Sequence, residues 1–253
     1  MSEGALMVGE PIGAPGTDVP RHARQGEDLD EDRREVHPVV APGGRPMTGG
    51  SGDKTHSRTR DDRKAELRRR LMAARRALPP ETRTAHAEAL RPHVLALAAG
   101  AGETVCAYLP IGSEPGSAAL LDALRAAGHE VLLPVVPPAP GLLDWARYTG
   151  PEDVGAGPLG LREPLGPRLG VGAIGRAALV LVPGLAADRR GVRLGRGGGY
   201  YDRTLPGTRP GTPLAVLLHE GELVDALPAD TYDVPVTAAV LPVRGTVPLG
   251  NIH

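Results

Sequence analysis

From about residue 61 onward, short apolar runs alternate with segments of helical periodicity, and this alternation constrains the fold more than any other feature. Residues 104–109, 130–134, 178–182, 214–219 and 236–241 read as strands, and 143–148 as an edge strand holding the sole tryptophan, Trp145. The run 178–182 is apolar throughout, as a strand covered on both faces must be. Between the strands, Leu67, Leu71, Ala74 and Leu78 repeat at helical spacing, with Asp61 and Asp62 at the favourable end of the helix. Pro79 and Pro80 end that helix and open a second one, to about Ala99, with Ala87, Leu90, Val94 and Leu97 inward. Residues 117–127 read as a helix stopped by Gly128, and 200–205 as a short helix. Strands alternating with helices give an α/β domain layered around a largely parallel sheet. Residues 150–175 are rich in Gly and Pro without a pattern, and are expected as a surface excursion beside the site.

Residues 1–60 carry neither periodicity, so they bury too little to offset their ordering entropy and are expected as a disordered N-terminal extension. The folded domain is then 61–245, with a C-terminal tail at 246–253. The charge balance, 29 Lys+Arg against 30 Asp+Glu, offers no global attraction to nucleic acid. No apolar run reaches membrane-spanning length, and the acidic N-terminus does not read as a secretory signal, so a cytoplasmic protein is expected. A single cysteine, Cys106, excludes an internal disulfide framework and a cysteine-built metal cluster, and within its apolar run it reads as a buried structural thiol. None of the eight histidines has metal-ligand spacing, and His219 reads as structural.

The chemistry concentrates in one stretch, Leu181-Val-Pro-Gly-Leu-Ala-Ala-Asp-Arg-Arg-Gly-Val-Arg-Leu-Gly-Arg-Gly-Gly-Gly-Tyr-Tyr-Asp-Arg203. An apolar strand runs into a glycine loop, where open α/β sheets place ligands. Gly195, Gly197, Gly198 and Gly199 leave their backbone N–H groups free to crowd an anion, with a helix N-terminus behind them. Arg193 and Arg196 can grip phosphate oxygens through paired hydrogen bonds. The spacing is neither a Walker loop nor a dinucleotide fingerprint. Phosphate binding, a plain flexible loop and single-stranded nucleic-acid binding through Arg and Tyr all fit these residues.

This stretch resembles the signature of the 5-formyltetrahydrofolate cyclo-ligase family: a Pro-Gly-Leu turn, an Asp and basic pair, then Arg-Leu-Gly-Arg-Gly-x-Gly-Tyr-Tyr-Asp. Lys64-Ala-Glu-Leu-Arg68, Tyr108-Leu-Pro-Ile-Gly-Ser-Glu-Pro-Gly-Ser117, Gly160-Leu-Arg-Glu-Pro164 and Leu227-Pro-Ala-Asp-Thr-Tyr-Asp-Val-Pro235 resemble its other blocks in order and spacing. The chain departs from the pattern at Gly116, where many relatives are acidic, at Tyr232 and at Gly198. The resemblance implies a layered sheet with helices on both faces, similar to NagB, RpiA and CoA transferases. It implies ATP-dependent closure of 5-formyltetrahydrofolate to 5,10-methenyltetrahydrofolate by a monomer that engages neither nucleic acid nor membrane. Lys64, Arg68, Arg193, Leu194, Gly195, Arg196, Gly197, Gly198, Gly199, Tyr200 and Tyr201 would hold ATP. Ile111, Glu114, Arg196 and Tyr200 would meet the folate, with Arg196 and Tyr200 at the reacting atoms. Asp202 and Asp233 would hold Mg²⁺, which takes one or two carboxylates and keeps water and phosphate besides. Each has a structural rival: a helix cap for Asp202, a turn residue for Asp233, and a solvated basic face for Lys64 and Arg68.

Overall fold

The structure, a computed structural model, describes residues 52–157, 160 and 162–250; the tail expected beyond 250 and the extension through 51 lie outside them. Helix α1, Gly52–Ala77, and helix α2, Pro80–Ala99, are separated at the expected proline pair. Strand β1 (Thr104–Cys106) leads to α3 (Ala118–Ala126), β2 (Glu130–Val135) and β3 (Asp144–Arg147). A hairpin follows, β4 (Val154–Ala156) with β5 (Arg162–Pro164), then β6 (Leu179–Pro183), β7 (Ala186–Asp188) and β8 (Arg193–Leu194). The chain ends through α4 (Tyr200–Thr204), β9 (Leu214–Leu217), β10 (Leu223–Val224), β11 (Ala238–Leu241) and β12 (Gly245–Pro248).

The main sheet has the order β12-β11-β9-β6-β1-β2-β3, parallel at its centre and antiparallel only at the two edge strands. Strand alternation sorts its side chains onto two faces. Val105, Val131, Leu133, Leu179, Leu181, Ala215 and Leu217 pack with Leu90, Val94 and Ala98 of α2 and Leu120, Leu121 and Leu124 of α3. Cys106, Leu132, Val180, Val182, Leu214 and Val216 lie in the opposite cluster, with Ile174 and Leu205. Each fully buried Leu or Val contributes about 1.5–3 kcal/mol. Ser117 caps α3 by accepting the Leu120 N–H at 3.3 Å.

Strand order positions the site. From β1 the chain crosses through α3 to β2 on one side, whereas β6, on the other side of β1, leads away to β9. The loops leaving β1 and β6 therefore diverge, and an open α/β sheet binds ligands in such a crevice.

Several expectations need correction. Helix α1 starts at Gly52, so residues 52–60 are helical rather than disordered; a nucleated helix can extend past its last packed turn. Its inward face keeps the expected Leu67, Leu71 and Leu78, each half-buried, but not Ala74. Ala74 is exposed, while Lys64 and Arg75 are buried and Leu67, Arg68 and Leu71 are half-buried. The region 150–175 is not patternless: it holds a 3-10 turn (Pro151–Asp153), the β4–β5 hairpin and a second 3-10 segment (Val171–Arg176). Residues 246–248, placed in the tail, pair with β11 and close the sheet edge. A small sheet, β10-β7-β8, was not foreseen, and α1 packs Leu67 and Leu71 against its Ala186 and Leu194. Cys106 is buried as expected, and burial pushes its thiol up to about 12.

Candidate functional site

A cavity of about 470 Å³ opens between the loops that follow β1 and β6. Helix α1 contributes Lys64 and Arg68, and the loop after β1 contributes Ile111 and Glu114. Strand β8 supplies Arg193 and Leu194, and the glycine loop supplies Gly195, Arg196, Gly197, Gly198 and Gly199. Tyr200, Tyr201 and Asp202 enter from α4, and Asp233 from the turn before β11. Every site residue expected from the sequence thus lines the same cavity, although the farthest-separated two stand 169 positions apart in the chain.

Most of the cations are already paired. Lys64 Nζ donates to Asp233 Oδ2 at 2.8 Å and to Asp230 Oδ2 at 2.6 Å, and Arg60 reaches Asp230 Oδ1 at 3.1 Å. Burial works to lower the Lys64 ammonium, but its bonds to Asp230 and Asp233 outweigh that and raise it above 10.5. The same contact with Lys64 holds the Asp230 carboxyl below 3.8. Arg193 is 7% exposed and is fixed by Pro183 O at 3.0 Å and Asp202 Oδ1 at 2.9 Å. Such a buried guanidinium acts as a strut for Asp202 before it acts on a ligand. Asp202 Oδ1 also lies 3.5 Å from the Val234 amide, next to Asp233, so one contact ties the two expected metal carboxylates together.

Arg196 differs. Its Nε contacts Glu114 Oε1 at 3.0 Å, its side chain is 47% exposed, and its two terminal nitrogens meet no acceptor among the described residues. Glu114 Oε2 is held by the Ile111 N–H at 3.0 Å. Arg68 Nε donates to Gly195 O at 3.0 Å, and a Cβ on Gly197, whose φ is +105°, would stand 3.6 Å from that guanidinium. That is ordinary contact, so what calls for glycine there is the left-handed backbone. Gly184 is equally constrained, since a Cβ would come within 2.7 Å of Val216. Two buried polar atoms on the cavity residues, Arg193 Nε and Tyr201 Oη, have no partner among the described residues. Burial drives the Tyr201 hydroxyl far above its usual value, so it stays a donor.

Of the cavity residues that were missed, Arg75, Asp230 and Glu163 carry buried or paired charges. Arg75, 2% exposed, is in helical phase with Lys64, Arg68 and Leu71, and that phase was the available signal. It makes a bidentate pair with Glu222 (2.6 and 2.7 Å) and donates to Gly184 O at 2.6 Å. Asp230 stands three residues before Asp233 in the same turn. Glu163, 6% exposed, was quoted only as part of a Glu-Pro block. His219 is structural: it is buried, its Nε2 meets Ser113 O at 3.1 Å, and burial lowers its pKa. Arg190 holds Asp188 within its own loop. Gly116, the departure in the folate loop, has a φ of +100° and faces Pro110 and Leu217, so an acidic side chain there would be strained and would meet the core.

No group of three or more His, Cys, Asp or Glu side chains converges on a metal position among the described residues. A cation shared with a phosphate chain asks for less. Asp202 Oδ2 and Asp233 Oδ1 carry no donor among the described residues, so each has one oxygen available, which fits a hard divalent cation. No helix among the described residues is long and apolar enough to cross a membrane.

Residues 60–242 match the 5-formyltetrahydrofolate cyclo-ligase family. A 5-formyltetrahydrofolate cyclo-ligase of Mycolicibacterium smegmatis is 46% identical over 190 residues, 74% of this chain and 97% of the relative. One from Escherichia coli is 33% identical over 141 residues, covering 55% of this chain and 78% of the relative. The structure of Aquifex aeolicus 5,10-methenyltetrahydrofolate synthetase superposes with a TM-score of 0.63 at 28% identity, over 75% of this chain and 94% of that one. A Mycoplasma pneumoniae 5,10-methenyltetrahydrofolate synthetase, at 20% identity, shares the fold with a TM-score of 0.56 over 70% of this chain and 96% of that one. With its glycine loop, paired cations and two half-free carboxylates in one crevice, the chain belongs to the 5-formyltetrahydrofolate cyclo-ligase family.

Proposed function

We infer that this chain converts 5-formyltetrahydrofolate and ATP to 5,10-methenyltetrahydrofolate, ADP and phosphate. The observation that carries the residue-level reading is the convergence of Lys64, Arg68, Arg196, the glycine loop and Tyr200 on one cavity with apolar walls.

A formamide oxygen is a poor leaving group. Its attack on the γ-phosphorus expels ADP and leaves an iminium phosphate carbon on N5. N10 adds to that carbon, the C–O bond breaks to release phosphate, and N10 loses its proton. The protein supplies position and charge, with no covalent nucleophile required. Arg196 follows the transferring phosphoryl group with its two open nitrogens, and Tyr200 borders the same atoms. Lys64, Arg68 and the N–H groups of residues 195–199 hold the triphosphate, with Leu194 and Tyr201 behind them. Arg193 fixes Asp202. Ile111 and Glu114 face the folate, Glu114 also steering Arg196. Asp202 and Asp233 would hold Mg²⁺, which would neutralise charge on the phosphate chain. The reading includes a cytoplasmic monomer bound to neither nucleic acid nor membrane, with the layering of NagB, RpiA and CoA transferases.

Purified protein given 5-formyltetrahydrofolate and MgATP develops the near-ultraviolet absorbance of methenyltetrahydrofolate. ATP binding without that absorbance overturns the substrate assignment. Arg196→Ala and Asp202→Ala each lower turnover by well over tenfold, the scale of losing one electrostatic contact to transferring charge (about 10²-fold). Turnover close to wild type in both variants overturns the site assignment.

A further inference from the structure

The loop after β1 carries Glu114, and both carbonyls that flank that residue are held by buried side chains. Tyr108 Oη donates to Pro115 O at 2.8 Å, and His219 Nε2 meets Ser113 O at 3.1 Å. Tyr108 is 6% exposed and His219 2%. Tyr108 belongs to the cavity wall, whereas His219, two residues past the end of β9, does not line it. The other ring nitrogen of His219, Nδ1, stands 3.0 Å from Nδ1 of His86 on α2, with the ring centroids 5.2 Å apart. Neither histidine has a part in the reading above.

The surroundings fix where the protons sit. A carbonyl only accepts, so Nε2 of His219 carries a proton. A second proton, on Nδ1, would put an imidazolium in the interior. Glu222 lies beside it, but Arg75 already takes both of its oxygens, at 2.6 and 2.7 Å. Its Oε2 also accepts the His219 backbone N–H at 2.8 Å. That carboxylate is matched, and a further buried cation there would be costly. Burial lowers the His219 pKa, while the Ser113 carbonyl and Glu222 act to raise it. His219 is therefore neutral with Nδ1 an acceptor, and the half-buried His86 donates its Nδ1–H to it.

From Ser113 the contact continues into the site. Glu114 Oε2 accepts the Ile111 N–H at 3.0 Å, and its Oε1 meets Arg196 Nε at 3.0 Å. We propose that His219 is a positioning residue: by donating to Ser113 O, with His86 setting its tautomer, it places Glu114, which in turn aims the open nitrogens of Arg196. The assignment rests on the folate reading and deepens it, because it names a group that acts on the transfer step without touching a ligand.

The test measures kcat and both KM values in wild type, His219→Leu, Glu114→Ala and the double variant. His219→Leu lowers kcat by about tenfold, within the range for a slightly displaced reacting group. KM for ATP holds, because Lys64, Arg68 and the glycine loop are untouched. His219→Gln, which returns an N–H to the Nε2 position, recovers most of that loss. In the Glu114→Ala background His219→Leu costs no more than about twofold further, since the group it places is already gone. Should the leucine variant fail to fold, His86→Phe removes the donor from its half-buried position and gives a smaller fall with the same lack of addition. Full kcat in a folded His219→Leu or His86→Phe protein overturns the proposal alone. So does a glutamine variant as slow as the leucine one, or losses that multiply across the cycle. A wild type that binds MgATP but forms no methenyl product overturns the folate reading and this assignment with it.

Discussion

Helices α1 and α2 follow one another in the chain, yet they meet the fold with opposite faces. Helix α2 buries Leu90, Val94 and Ala98 against the sheet, whereas α1 buries Lys64 and Arg75 and half-buries Arg68. Helix α2 is held by apolar area; α1 is held largely by carboxylates and carbonyls that belong to distant loops, Glu222, Asp230, Asp233, Gly184 and Gly195. The difference separates two uses of one element type: α2 completes a core, and α1 carries cations into a cavity.

The largest test of that contrast is Arg75→Met. It strands Glu222 in the interior without its cation and should cost about 3–5 kcal/mol in urea denaturation. A loss no greater than for an exposed arginine would make α1 a surface helix after all. Leu90→Ala on α2 should cost about 2–5 kcal/mol through the cavity it leaves, with both KM values unchanged. Arg68→Ala inverts that profile: KM for ATP rises by about tenfold, roughly 1.4 kcal/mol, and the melting temperature hardly moves. A melting shift as large as that of Leu90→Ala would erase the distinction.

The smallest effect is the pH response of the α1 anchor. Lys64 holds Asp230 below 3.8, so the folded pKa is depressed. Stability from this contact is complete above about pH 4 and is lost as pH falls through the folded pKa. Conversely, the ammonium of Lys64 is raised above 10.5, so its contribution persists below that value and fades as pH climbs through the folded pKa. The melting-temperature gap between wild type and Asp230→Asn should be flat through neutrality and close below about pH 4. A gap unchanged at pH 2 would remove the contact from the account.

The sequence was most legible where residue type and spacing carry the physics unaided. The apolar run at 178–182 forms a covered strand, and the glycine loop lines the cavity beyond it. The face of α1 was obscured for a simple reason. Lys64, Arg68 and Arg75 stand among Arg63, Arg69, Arg70 and Arg76, so the buried cations look like the solvated ones until a partner is placed beside them. Strands β7, β8 and β10 have two or three residues, too few to show a period, and their pairing is set by the loops around them. Glu163 was hidden likewise, on a three-residue strand whose partner hairpin arm reads as turn material. Asp230 could have been found, because two aspartates three apart in one turn suffice to hold a lysine between them.

The pairing of Lys64 with Asp233, of Arg193 with Asp202 and of Arg196 with Glu114 sets cation against carboxylate within the crevice. A guest therefore gains only the difference between the contacts it makes and those it displaces. A bare polyanion would meet two aspartates as it drew the cations away. One that arrives already carrying a counter-ion gives both sides of each broken pair a new neighbour, so under the proposed reading the resting ion pairs would favour a nucleotide that brings its cation with it.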